Sequence, residues 1–201
     1  MANLKKYAAQ NLEISASSEG KIVFIGDSIT EFWKSANPAF FEENSFINRG
    51  ISGETSSQML LRFQNDVLNL KPSIVIILAG INDIAENNGP ISLEDILKNS
   101  ISMVELSMKN NCRIILCSVL PANKFSWRPD IFPAQKIIQL NEMIKSFAEN
   151  NNIVFADFYT EMVDENYGLQ LKFGADGVHP NLKGYKVMEP IILEAIRKIS
   201  D

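Results

Sequence analysis

The sequence predicts a three-layer α/β/α domain, a parallel β-sheet between two layers of helices, and three observations carry that prediction. Short β-rich apolar runs alternate with longer stretches of helical spacing along the chain. Several of those runs are apolar at consecutive positions, the pattern of strands covered on both faces. No internal repeat, proline-rich tract or low-complexity linker divides the 201 residues, a length suited to one domain with a substantial core. Alternation of this kind implies right-handed crossovers within one sheet.

Five strands follow in order: KIVFIG (21–26), SFIN (45–48), SIVIILAG (73–80), RIILCSV (113–119) and NIVFAD (152–157). Helical spacing marks 54–70, where Thr55, Ser56 or Ser57 can serve as N-cap. The helix over 92–111 opens on Ser92 with Asp95 three residues on, close to a capping-box pattern. A third spans 133–151 with Pro133 in its first turn. The last, 181–200, contains Pro190, which is expected to bend or interrupt it. Residues 1–20 read as a helical extension packed on a single domain spanning 1–201.

Composition excludes several classes. Hydrophobic residues are 46% and charged residues 21%, ordinary for a globular protein, and the net charge of -5 disfavours a general nucleic-acid binder. No apolar run reaches about 18 residues, so no membrane-spanning helix is expected. The first twenty residues lack the apolar centre of a signal peptide and read as cytoplasmic, although a chain trimmed after an export signal would read the same. Cys112 and Cys117 lie at odd spacing on one strand, pointing to opposite faces, so two unpaired buried thiols are expected. With a single histidine in the chain, a metal site or catalytic cysteine is disfavoured.

In a parallel sheet the chemistry sits at the carboxyl ends of the strands. The first strand ends in Gly26-Asp27-Ser28, where Ser28 can project into the crevice as a nucleophile, or Asp27 or Ser28 can simply cap a following helix. If that helix starts at Ile29, its first amides favour an oxyanion near Ser28. The second strand leads into Gly50-Ile51-Ser52-Gly53-Glu54, either a loop with backbone amides open to a ligand or a tight turn. Asn82, after the third strand, can aim its amide at developing negative charge or form an ordinary Asx turn; Asp83 reads as structural. Asp176-Gly177-Val178-His179-Pro180 holds the lone histidine three residues after a carboxylate that can orient it. Each signal is weak alone, but the fold brings all four places to one rim.

At these residues the chain resembles the SGNH (GDSL-type) hydrolase family. GDSIT around Ser28, NRGISGET around Gly53, GIND around Asn82 and DGVHP around Asp176 and His179 match its four blocks in order. The family's usual Leu after GDS is Ile29 here. The resemblance implies a flavodoxin-like fold with a five-stranded parallel sheet and no metal or organic cofactor. It further implies Ser28 as nucleophile, His179 as base, Asp176 as its orienter, and an oxyanion hole from the Ser28 and Gly53 amides and the Asn82 side chain. The G-x-S-x-G elbow of α/β-hydrolases is missing, which disfavours that other fold.

The loop after the fourth strand carries Phe125, Trp127, Arg128 and Phe132. The aromatics are expected to wall a sugar or acyl group, with Arg128 bonding a polar leaving group, or else Trp127 and Phe132 anchor the loop on the core. Asp27 and Glu54, beside Ser28 and Gly53, are further candidate substrate contacts. Within the family the compact length is most similar to small acetylesterases and platelet-activating-factor acetylhydrolase-like enzymes. The expected substrate is a small ester, an acylated sugar losing acetyl. A lysophospholipase or thioesterase, an acyltransferase using the same acyl-enzyme, and a non-catalytic carbohydrate-binding module are the alternatives. Oligomeric state is not legible in the sequence.

Overall fold

A computed structural model describes residues 2–15 and 20–200. Positions 1 and 16–19 of the expected N-terminal extension lie outside the described residues. The chain runs α1 (Ala8–Ser15), β1 (Ile22–Gly26), α2 (Ser28–Ala36), α3 (Pro38–Glu43), β2 (Ile47–Gly50) and α4 (Ser56–Asp66). A 3-10 turn at Leu68–Leu70 leads to β3 (Ile74–Leu78), α5 (Ile81–Ile84), α6 (Leu93–Lys109), β4 (Arg113–Cys117) and α7 (Ala134–Asn150). Last come β5 (Val154–Ala156), α8 (Tyr159–Met162) and α9 (Leu182–Ser200).

The five strands form one sheet in the order β2-β1-β3-β4-β5, every neighbouring pair parallel. The chain winds outward from β1 to β2, then returns to the other side of β1 to place β3. That reversal opens a crevice at the carboxyl ends of β1 and β3, where such sheets bind ligands. Helices α2 and α9 cover one face, while α6 and α7, with α4 beside α6, cover the other; α1 packs outside α4.

The core explains the layers. Phe24 of β1 lies 5.8 Å from Trp33 and 5.3 Å from Phe41, ring centre to ring centre. Trp33 in turn stacks on Phe40 and on Tyr185 of α9, each at 5.5 Å. On the opposite face Met59, Phe63, Ile96, Met103 and Leu140 are fully buried. Fully burying one such side chain contributes about 1.5–3 kcal/mol, so these two apolar layers are the main force holding helices to sheet.

Two glycines set how closely α2 approaches the sheet. Gly26 and Gly50 lie opposite each other at the ends of β1 and β2. A Cβ on Gly26 would collide with the Thr30 hydroxyl, and one on Gly50 with the backbone of Glu31. The start of α2 therefore rests directly on the strand ends.

The structure corrects some expectations and agrees with others. Strand β2 lies later than predicted, at Ile47–Gly50, because the polar Asn48 and Arg49 pair with β1 and are buried. Polar residues there read as loop, yet Arg49 finds acceptors in Asn11 and in the Asn48 carbonyl. Helix α9 is not interrupted at Pro190. Pro190 and Lys186, whose carbonyl loses its i+4 donor, are both exposed, so solvent has access to the carbonyl that the proline leaves without a donor. At α4 the N-cap is Thr55, with Gln58 completing a capping box. Cys112 precedes β4 and Cys117 ends it; both are buried and unpaired, and burial pushes the Cys117 thiol far up, leaving it inert. Among the described residues no helix is long and apolar enough to cross a membrane.

Candidate active site

Ser28 is the first residue of α2, one position earlier than expected, and Asp27 provides the cap through its Oδ1, which accepts from Ile29 N–H at 2.9 Å. This leaves the Ser28 hydroxyl unoccupied by capping. It lies 2.9 Å from His179 Nε2. The other ring nitrogen, Nδ1, is 2.6 Å from Asp176 Oδ2. With an ionised Asp176 the proton sits on Nδ1, and bare Nε2 can accept the hydroxyl proton.

The turn holding His179 is rigid for local reasons. Asp176 Oδ1 accepts from the backbone N–H groups of Val178 and His179, at 2.9 and 2.7 Å. Gly177 takes a positive φ of 81° in that turn. Partial burial pushes Asp176 up, but the hydrogen bonds from His179 and Val178 outweigh it and hold the carboxyl below the usual range. Asn181 then caps α9 by accepting from Lys183 and Gly184.

Across from this pair stand candidate donors for negative charge. The Ser28 N–H, at the first position of a helix, has no acceptor within that helix. Asn82 lies in α5 just past β3 and is 5% exposed. Its Nδ2 donates to Glu54 O at 3.1 Å, and its Oδ1 accepts from Asn87 Nδ2 at 2.7 Å. Those two bonds orient the amide and leave one N–H for a ligand. Gly53 has φ of 79°, and nothing lies within 4 Å of where a Cβ would stand. Conformation, rather than crowding, demands glycine there. Such an arrangement can take a proton from a hydroxyl while stabilising charge that develops on an adjacent oxygen.

Residues 24–187 match the GDSL-like Lipase/Acylhydrolase family, a span that holds every residue of this constellation. The chain belongs to that family. A solved GDSL-like lipase from Bacteroides thetaiotaomicron is 45% identical, superposes with a TM-score of 0.93, and is covered over 98% of each chain. An acetylxylan esterase of Geobacillus stearothermophilus is 26% identical over 88% of this chain and 93% of its own length. An uncharacterized lipoprotein of Bacillus subtilis is 36% identical over 37% of this chain, and the match spans only 32% of that protein.

Within this GDSL-like site the remaining candidates separate sharply. Asp27 is 1% exposed behind Ser28, so it caps α2 and cannot meet a substrate. Glu54 is 4% exposed, its Oε2 bound to Arg62 Nε, and does not face the crevice as a solvated carboxylate would. Phe125 is 1% exposed and belongs to the core. Arg128 is held by Glu86, donating to its carbonyl at 3.0 Å and its carboxylate at 3.3 Å. Trp127 is 42% exposed, stacks on Phe125 at 5.0 Å and donates from Nε1 to Asn87 Oδ1. Phe132 is 81% exposed and so does not anchor its loop on the core. Asp83, read as structural, accepts from Ser56 N–H and Oγ at 2.8 and 2.6 Å and so anchors the start of α4.

Sequence reasoning missed two residues at the rim. Asn87 links Trp127 to Asn82, and its place five residues beyond Asn82 is the only signal it gave. Phe32 lies one helical turn after Ser28, is 40% exposed, and sits 5.4 Å from the His179 ring. The i, i+4 spacing from Ser28 would have placed it beside the hydroxyl.

Burial pushes Asp27 up to about 7, with nearby Asp83 and Glu54 adding to the rise and the Ile29 N–H opposing it. The unfolded chain ionises first, so Asp27 costs stability as pH rises from about 4, and the full loss stands above 7. Asp27→Asn keeps an acceptor for the cap and removes the charge. It is expected to exceed wild type in stability at pH 8 by on the order of 4 kcal/mol, with the gap closing near pH 4. Urea unfolding at pH 4, 6 and 8 measures this; an equal difference at all three values would exclude the linkage.

Proposed function

We propose that this GDSL-like acylhydrolase is a serine ester hydrolase that removes a short acyl group, acetyl above all, from a carbohydrate. The observation carrying the reading is the line from Asp176 through His179 to Ser28, at 2.6 and 2.9 Å, beside the oriented amide of Asn82.

The chemistry follows from that line. His179 Nε2 takes the Ser28 proton as Oγ attacks the ester carbonyl carbon. The carbonyl π bond opens to an oxyanion, received by the Ser28 and Gly53 N–H groups and by Asn82 Nδ2. The oxyanion collapses, the bond to the leaving oxygen breaks, and imidazolium protonates that oxygen to release the alcohol. Water then attacks the acyl-Ser28, His179 accepts its proton, and collapse returns the proton to Ser28 as the free acid leaves.

Because Nε2 must reach the leaving oxygen, the alcohol lies on the His179 side, where Phe32 presents an exposed ring. Aromatic faces of this kind suit the apolar side of a sugar ring. The site is open there: the Asp176 side chain is 52% exposed and that of His179 26%, giving room for a bulky alcohol. The nearly full-length relation to an acetylxylan esterase supports the same substrate class.

The test is a series of p-nitrophenyl esters from acetate to decanoate, together with acetylated xylo-oligosaccharides. Acetate is expected to give the highest kcat/KM, and acetylated sugars to release acetic acid. A maximum at eight or more carbons would instead select a lysophospholipase or thioesterase. If acetyl passes to added sugar faster than free acid forms, the enzyme is an acyltransferase.

A further inference from the structure

The family match begins at residue 24, yet the chain ahead of it reaches the loop that carries Gly53. Tyr7 is buried at 8% exposure, and its hydroxyl donates to the Gly50 carbonyl at 2.5 Å. The Arg49 guanidinium lies 4.5 Å over its ring. Asn11 Oδ1 accepts from the same guanidinium at 3.0 and 2.8 Å, while its Nδ2 donates to Asp66 Oδ1 at 2.7 Å. Lys6 pairs with Glu31, and Glu31 Oε2 accepts from Ser52 N–H at 2.6 Å. Asn3 N–H donates to Glu54 Oε1 at 3.2 Å.

The segment thus reaches the loop directly at positions 50 and 54, on both sides of Gly53, and at 52 through Glu31 of α2. Among the described residues the loop's backbone N–H groups donate from Ile51 to Gly26 O, at 3.0 Å, and from Glu54 to Ile51 O, at 3.2 Å, while Asn82 and Arg62 hold Glu54 from the body of the domain. Above Gly53 nothing lies within 4 Å of a would-be Cβ, so packing from that side does not aim its amide. Desolvation pushes the Tyr7 phenol up to about 12, which keeps it a donor across the working range.

We propose that residues 3–11 form a strap that aims the Gly53 amide at the reacting oxygen, with Tyr7 and Glu31 as positioning residues. The inference rests on the serine-esterase reading above. An oxyanion donor acts only where charge develops, about 3 Å away, and must already be in place at that moment. Loosening the strap therefore weakens transition-state binding while leaving ground-state binding nearly intact.

Tyr7→Phe and Glu31→Ala are expected to lower kcat for p-nitrophenyl acetate by about 5-fold to 20-fold each, with KM within about twofold, because a small misplacement of a donor is costly. The rate at which a p-nitrophenyl methylphosphonate ester modifies Ser28 should fall in parallel, since its phosphoryl oxygen occupies the same hole. Glu31→Gln retains an acceptor for Ser52 N–H and should recover most of the loss. Assays well below the melting temperature, normalised by titrated active sites, remove any contribution from unfolded protein. Unchanged kcat in Tyr7→Phe, a change confined to KM, or unchanged phosphonylation would each overturn the strap. Retention of activity in Ser28→Ala would instead overturn the underlying esterase reading.

Discussion

Replacing Ser28 with alanine is expected to lower kcat/KM for p-nitrophenyl acetate by about 10⁴-fold or more, the scale found when a nucleophile is removed from a catalytic triad. On the proposed mechanism the substitution deletes the attacking oxygen of the protein and leaves the rest of the site standing. Asp27 continues to cap α2 through its own carboxylate, so fold and melting temperature should change little. His179→Ala should cost about as much, and the double variant scarcely more, because the two groups act as one unit. Whatever activity survives must come from the amide donors and substrate binding alone. Steady-state kinetics on the two single variants and the double variant test this. Full activity in Ser28→Ala, or losses that multiply in the double variant, would contradict an acyl-enzyme on Ser28.

The largest loss of stability is expected from Arg62→Met. Arg62 is 0% exposed and binds Glu54 through Nε at 2.5 Å and Asp66 through Nη1 at 3.2 Å. Its Nη2 donates to the carbonyls of Gly26 and Arg49, at 3.2 and 2.8 Å, which are the last carbonyl of β1 and the one before the end of β2. Methionine fills similar space but leaves two carboxylates, 4% and 1% exposed, without their cation, facing neutral donors from Asn3 and Asn11. Removing one member of a buried ion pair costs about 3–5 kcal/mol, because the stranded charge cannot be resolvated. For a chain of this size that is a fall in melting temperature of about 10 °C. Adding Glu54→Gln and Asp66→Asn to the same variant removes the stranded charges and should restore part of the loss. Calorimetry on the single and triple variants decides the matter. The Glu54 carbonyl also holds Asn82, so kcat should fall even at temperatures where Arg62→Met remains folded.

Ser28, Gly53, Asn82, Asp176 and His179 were legible in the sequence because each lies in a short segment just past a strand or before the last helix. Residue type and neighbours there already restrict the chemistry, and parallel topology forces the segments to one edge of the sheet. The Asp176–His179 half of the line needed only a three-residue turn, which Gly177 makes local, whereas the His179–Ser28 half joins the two ends of the chain through the fold. Strands β1, β3 and β4 were legible from runs of apolar residues, whereas β2 was displaced because Asn48 and Arg49 are polar and yet buried.

The sequence by itself determined the layered α/β plan and the chemical contents of the rim, since both depend on local periodicity and on the residues at strand ends. Only the tertiary structure decided which polar groups near the strand ends are open to the crevice and which are buried against structural partners. Asp27 and Glu54 stand next to Ser28 and Gly53 in the chain, but a cap and a buried arginine take them out of the crevice. Phe32 and Asn87, which no motif marked, come to the rim through helix spacing and a chain of amides. The reason is physical: the cost of burying a carboxylate or an amide is set by its partners, and some of the deciding ones meet only through the packing of helices and loops, as the Glu54 carbonyl does with Asn82 and Asn87 with Trp127.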